Sequence, residues 1–229
     1  MSGKSLILSR DEFAAKYDYE HALRYHRKHN RNLWRRISDY REKSLTRRIL
    51  GELGQPETVL DLPCGTGRFW PVLAETPGLN IIAADSSQGM LRVAEENCPR
   101  EFRDRITILH TSAYDIDLAD DSVDTVLSMR LLHHIGSGEK RMRILKEFRR
   151  VSRKFVILSL WVDGNFKAWR RVQRDRRESS LGIKRPANRF LCRRETIAEE
   201  FRRAGLEIIR HYDLFPYYSM WRFYLLRVA

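Results

Sequence analysis

Two aspartates at strand ends, with a pair of glycines between them, are the first residues here whose types and spacing carry chemistry. Asp61 lies at the end of the apolar run Thr58-Val59-Leu60-Asp61-Leu62, and Pro63-Cys64-Gly65-Thr66-Gly67 follows as a tight turn. Gly65 and Gly67 let a ligand approach the backbone and feed a helix start whose free N–H groups favour negative groups. A Gly-x-Gly fits any tight strand-to-helix turn, so its neighbours decide what it binds. The third glycine of a dinucleotide fingerprint would fall at Trp70, whose bulk argues against NAD or FAD. Asp61 sets an anion ahead of the glycines, where it repels phosphate and welcomes a cation. Asp85 ends a second apolar run 24 residues after Asp61, the place of a carboxylate that accepts both hydroxyls of a ribose.

Other reactive side chains are sparser. His133 and His134 follow the run Val123–Met129 directly, and either is a candidate general base or a cap on the next turn. Tyr17 and Tyr19 are candidates for a lid or for packing, and His211 lies in a strand and reads as structural. Cys64 has no activating neighbour inside its turn and reads as structural. Cys64, Cys98 and Cys192 are too few and scattered for a disulfide framework, which points to the reducing cytoplasm. No His/Cys/Asp cluster has metal-ligand spacing, so no metal is expected.

The elements that must position these residues alternate. Strands are expected at 58–62, 79–84, 106–109, 123–129 and 155–160, with helices at 68–75, 88–97 and 139–151 between them. A basic helix, a loop around Arg185-Pro186, a helix over 195–204 and two strands near 207–212 and 220–228 complete the chain. This pattern predicts a doubly wound, mostly parallel seven-stranded α/β sheet with a C-terminal antiparallel hairpin. Residues 1–50 form an N-terminal helical extension on the substrate side, with two helices broken near Lys28-His29-Asn30 and Tyr40, Leu45 and Ile49 packing. Residues 51–229 form the sheet domain, with a basic insertion at 166–194.

Charge is distributed unevenly over the 229 residues. Residues 1–50 carry 13 basic and 6 acidic side chains, 51–135 carry 6 and 14, and 136–229 carry 24 and 10, for a net charge of +13. The acidic middle holds the proposed pocket. Phe166 to Arg194 alone holds 11 basic and 2 acidic residues, a field that draws phosphates, nucleic acid or anionic lipid. Trp169, Arg170, Arg171 and Arg174 there suit a lid over an anionic acceptor or a helix lying on an acidic membrane surface. Tyr217 and Tyr218, in the turn before the last strand, would wall the same cleft. No run of about 18 apolar residues is present, which excludes an ordinary transmembrane helix.

An acidic pocket with a ribose-binding carboxylate suits an adenosine that carries a sulfonium, which is S-adenosylmethionine. The sequence VLDLPCGTGRF (59–69) resembles motif I of the class I S-adenosylmethionine-dependent methyltransferases. The resemblance continues through IIAADSSQGMLRVAEEN (81–97), ADDSVDTVLSMRLLHHI (119–135) and FRRVSRKFVILSL (148–160), in the expected order. It implies a Rossmann-like fold and S-adenosylmethionine as cofactor. By position, Asp61, Cys64, Gly65 and Gly67 would frame the methionine half, and Asp85 with Ser86 the ribose. Met90, Ser112 and Ala113 would face the adenine. Met129 and Arg130 would face the methyl group or methionine tail, Arg130 also bordering the acceptor, and Arg41 would pair with the cofactor carboxylate. Pro63 replaces the usual first glycine, Ser112 a frequent Asp, and Ser152-Arg153-Lys154 shortens the turn before the fifth strand.

Three functions follow from these readings. The first is an enzyme that methylates a small, lipid-linked or sugar-linked acceptor carrying phosphate or carboxylate, with His134 or His133 as base. An RNA methyltransferase, its basic flanks tracking a backbone, is the second; the chain has no recognisable RNA-binding module to support it. The third is a non-catalytic relative that binds only the cofactor, against which the intact Asp61, Gly65, Gly67 and Asp85 speak.

Overall fold

Val123-Asp124-Thr125-Val126-Leu127-Ser128 is buried along its whole length, as happens to a strand with neighbours on both edges and layers on both faces. The computed structural model describes residues 19–20, 22–23, 33–54, 56–183 and 188–229. The helix expected from Arg10, its break at Lys28-His29-Asn30, Tyr17 and the loop at Arg185-Pro186 lie outside the described residues.

Helix α1 (Leu33–Glu52) precedes strand β1 (Thr58–Asp61), and helix α2 (Trp70–Ala74) leads to β2 (Asn80–Asp85). Then come α3 (Gln88–Glu96), β3 (Ile106–His110), β4 (Val123–Ser128), α4 (Gly138–Val151) and β5 (Ser152–Trp161). Helices α5 (Phe166–Ser180) and α6 (Arg194–Arg203) and strands β6 (Leu206–Asp213) and β7 (Trp221–Val228) end the chain. The seven strands lie in the order β3-β2-β1-β4-β5-β7-β6. The first five are parallel, and β7 runs antiparallel to both β5 and β6. Strand order therefore reverses between β1 and β4, the place where ligands bind such sheets.

One face packs Ile144, Leu145 and Phe148 of α4 and Ile197 and Phe201 of α6 against β4 and β5. The other packs Leu45 and Ile49 of α1, Trp70 and Leu73 of α2 and Leu91 of α3. Each fully buried Phe, such as Phe148 or Phe201, contributes about 1.5–3 kcal/mol. Helix starts are capped where the strand ends hand over: Ser87 accepts from Met90 N–H, Ser137 from Lys140 N–H and Asn165 from Ala168 N–H.

Three local expectations change. Tyr40 is 74% exposed, and the buried line of α1 is Glu42, Leu45, Thr46, Ile49 and Leu50. The helix after the glycine turn spans five residues and not eight, because the turn continues through Arg68 and Phe69. Strand β5 starts at Ser152, directly after α4. Arg153 and Lys154 are tolerated in it because both pair with Asp124, at 3.3 and 3.1 Å, beside a register shift in β4. Among the described residues no helix is long and apolar enough to cross a membrane.

Candidate active site

The glycine turn is held by Asp85. Its Oδ2 accepts the Gly65 N–H at 2.9 Å and its Oδ1 the Ser87 N–H at 2.9 Å, tying the ends of β1 and β2 together. Gly65 has φ +56° and open space where a Cβ would stand, so its surface is free for a ligand to approach. Gly67 serves a different purpose from the one its spacing implies. A Cβ there would lie 2.8 Å from the Trp70 ring, so this glycine, at φ +75°, makes room for Trp70 and not for a ligand. The Cys64 thiol is buried, and burial and the neighbouring Asp61 and Asp85 raise its pKa well above the ordinary range. It is no nucleophile.

Asp61 is the most unusual group in the molecule. It is 1% exposed, and neither carboxylate oxygen has a hydrogen-bond partner. Burial and then the Asp85 charge push its pKa up to about 8; Arg68 opposes them, as does the Trp70 indole, which faces the carboxylate short of hydrogen-bond geometry. Asp85 is likewise raised by burial, against the N–H groups that bond it. A buried carboxyl left without partners is costly unless something completes it. A cationic ligand does so, and the open cradle at Gly65 stands beside it; these residues fit S-adenosylmethionine.

The expected partner of the cofactor carboxylate is turned elsewhere. Arg41 donates from Nε to the Leu214 carbonyl at 3.3 Å, on the β6–β7 side of the sheet rim. Glu42, which shares a helical face with Leu45 and Ile49, points inward instead. It accepts Arg68 Nη2 at 2.7 Å and Arg130 Nε at 3.1 Å, with a second contact from Arg130 Nη2. Burial would raise its pKa, but the two guanidiniums outweigh that and hold it below the usual carboxylate range. Neither Glu42 nor Arg68 was assigned a role by spacing; the one available signal was the interval of three between Glu42 and Leu45.

Beyond β4 the chain turns through Arg130, at φ +59°, and a 3-10 turn over Leu132–His134. Met129 is buried in the core under this turn. His133 is 3% exposed, with its ring 5.0 Å from Trp161 and 4.7 Å from Trp221. Burial, with surrounding positive charge, lowers its pKa to about 2, so it is too weak a base to take a proton near neutrality. His134 is partly exposed, and its Nδ1 lies 2.9 Å from the Asn188 carbonyl. A carbonyl only accepts, so Nδ1 carries the hydrogen and Nε2 the lone pair.

The remaining expected residues lie around these. Met90 is buried against Ala22 and Val93, with Tyr19 and Leu23 beside them; Tyr19 donates to Glu96 at 2.7 Å and so packs on α3. Ser86 gives its carbonyl to His110, Ser112 Oγ accepts from Tyr114 N–H, and Ala113 is buried. On α5 the four expected substrate residues separate. Arg171 turns inward, 5.1 Å over the Trp161 ring, and Nη2 donates to the Arg189 carbonyl at 2.8 Å. Trp169, Arg170 and Arg174 face outward, Arg170 over Phe166 and Arg174 against Asp175. Tyr217 and Tyr218 are exposed at the same outer face, Tyr218 stacked on Phe166 at 6.0 Å. A groove of 670 Å³ there, lined by Phe166, Trp169, Arg176, Leu191 and Tyr217 among others, shares no residue with the Asp61–Asp85 rim. Among the described residues no cluster of three or more His, Cys, Asp or Glu could hold a metal ion.

Residues 60–159 match the family described as a methyltransferase domain. Demethylmenaquinone methyltransferase of Clavibacter sepedonicus is 32% identical over 145 residues, 62% of this chain and 54% of that protein. A probable tRNA methyltransferase 9B of Mus musculus is 24% identical over 148 residues, 65% of this chain and 30% of that protein. The chain spans about half, or less, of the length of the curated relatives it matches first. Magnesium protoporphyrin IX methyltransferase from Synechocystis PCC 6803, solved with bound SAH, has the same fold. Its TM-score is 0.74 at 14% identity, over 96% of this chain and 100% of that one. The matched stretch runs from β1 into β5 and includes the turns that follow β1, β2 and β4, so residues 60–159 are the part of this chain that is similar to S-adenosylmethionine-dependent methyltransferase domains.

Proposed function

We propose that the chain transfers a methyl group from S-adenosylmethionine to a small, lipid-linked or sugar-linked acceptor that carries an anionic group. The observation that carries this reading is Asp61, a fully buried carboxyl without partners at the switch point of the sheet. S-adenosylmethionine, when bound, supplies a methyl group made electrophilic by the sulfonium charge. Asp61 accepts from the cationic methionine end, and Asp85 offers its remaining lone pairs to the ribose while keeping Gly65 in place. Met90, Ser86, Ser112 and Ala113 border the adenine side. His134, with its Nε2 lone pair held ready by the Asn188 contact, takes the proton of a hydroxyl or amine acceptor. Most of the acceleration comes from orienting the acceptor and excluding water, the task of α5 and of residues 188–192 that strap across the end of β5.

Calorimetry with S-adenosylmethionine tests the cofactor site. Asp85→Ala is expected to weaken binding by about tenfold or more, as befits a hydrogen-bonded charged group. Unchanged affinity would remove the ribose from Asp85.

A second reading, methylation of RNA, draws on the tRNA methyltransferase relatives and on the basic flanks. Competition by nucleic acid with a steep salt slope would favour it. The outward face of α5, with Trp169 among arginines, supports a third arrangement in which a lipid-linked acceptor is met at an anionic membrane surface.

A further inference from the structure

Three guanidinium groups from three separate stretches of chain converge on one aromatic cluster. Arg130, just after β4, stands 4.9 Å over the Trp221 ring. Arg171 of α5 stands 5.1 Å over Trp161, and Arg189 of the strap stands 5.8 Å over the same ring. His133 packs against both indoles, which also meet each other edge-on at 5.6 Å, and all three arginines are near enough to disfavour its protonation.

Like charges set around one aromatic cluster repel one another, and an anion among them relieves that repulsion. Glu42 pairs with Arg130 and with Arg68, which also pairs with Asp39, whereas Asp175, half exposed, lies 3.6 Å from Arg171 and is shared with Arg174. Arg130 also holds φ +59°, a conformation that is strained for a non-glycine residue and of the kind found at ligand sites. Two buried polar atoms in the cluster, His133 Nδ1 and Trp161 Nε1, have no hydrogen-bond partner. Arg130 and Arg171 keep side-chain exposures of 28% and 23%, so solvent reaches the guanidiniums while the imidazole behind them stays dry.

The cluster is wired to the glycine turn. Arg68, in that turn, bonds Glu42, which bonds Arg130, which covers Trp221. This relay ties the arginines to the turn that follows Asp61.

We propose that Arg130, Arg171 and Arg189 form the subsite that takes the acceptor's anionic group, a carboxylate or a phosphate, above the His133–Trp161–Trp221 floor. This rests on the methyltransferase reading given above and specifies its acceptor: an anion is required and a cationic acceptor is excluded. It also reassigns the basic segment, since Arg171 and Arg189 bind while Arg170 and Arg174 do not.

The test uses the full chain saturated with S-adenosylhomocysteine, titrated in separate arms with inorganic phosphate and with benzoate and followed by tryptophan fluorescence and calorimetry. Saturable binding of at least one probe is expected, the stronger arm assigning the acceptor's group. Arg189→Ala and Arg171→Lys should each weaken it by about tenfold, the value of losing a charge-assisted or bidentate contact, while Arg174→Ala leaves it unchanged. Arg189 is exposed, so its truncation leaves the core intact. Absence of saturable binding in both arms, or equal affinity in the two variants and the parent, overturns the subsite. Heat from S-adenosylhomocysteine itself is read in the same samples. If that is missing while anions bind, the cofactor reading fails and the anion site stands.

Discussion

Asn in place of Asp61 should change how the stability of the ligand-free protein depends on pH. The carboxyl titrates near 3.8 in the unfolded chain and at about 8 in the folded one. Between those values the native state holds a proton that the unfolded state has released, so each pH unit of increase costs the fold about 1.4 kcal/mol. The contribution is fully present below pH 3.8 and is lost as pH rises to about 8. The whole interval amounts to a loss on the order of 6 kcal/mol, but His133 titrates in the opposite sense below 6.5. The window from pH 6.5 to 8 isolates Asp61, and there the parent should lose about 2 kcal/mol more than Asp61→Asn. Urea denaturation at half-unit pH intervals measures it. A cationic cofactor favours the ionised form, so the affinity of the parent for S-adenosylmethionine should rise by up to about tenfold per pH unit toward 8, and that of the variant should not. Parallel stability profiles for the two proteins would show that Asp61 is already ionised and partnered, and the argument from its burial would fall.

Three more outcomes follow from the same geometry. His133, neutral in the fold down to a pKa of about 2, contributes stability present above pH 6.5 and lost on acidification, so His133→Gln should shallow the acid limb of the denaturation curve. Gly67→Ala should lower stability by about 2–4 kcal/mol, from its positive φ and the Trp70 ring against its Cβ, whereas Gly65→Ala, with open space, should lose about 1 kcal/mol; thermal melts distinguish them. Trp169→Ala should reduce co-sedimentation with vesicles rich in phosphatidylglycerol while leaving S-adenosylmethionine affinity unchanged, and equal sedimentation would remove the membrane arrangement.

Much of the fold was legible because each strand-helix handover carries its own local signal. The central strands read as unbroken apolar runs, and the helices between them as periodic stretches that start and stop close to where the structure has them. The misjudged places are those where a charged residue finds a distant partner. Arg153 and Lys154 look like loop residues until Asp124, about thirty positions away, neutralises them inside β5. Tyr40 looks like a packing residue until α1 rotates Glu42 into the interior.

The sequence by itself determined the α/β order and the carboxylates that end β1 and β2, since these depend on periodicity and on residue type at strand ends. Only the tertiary structure decided that Glu42 turns inward to Arg68 and Arg130 while Arg41 reaches the Leu214 carbonyl, and that Gly67 makes room for Trp70. It also decided that one of the four lid residues expected on α5, Arg171, turns inward to join Arg130 and Arg189. Each of these is a contact between residues far apart in the chain. Its energy comes from burial and from charges brought together by folding, and no local pattern encodes it.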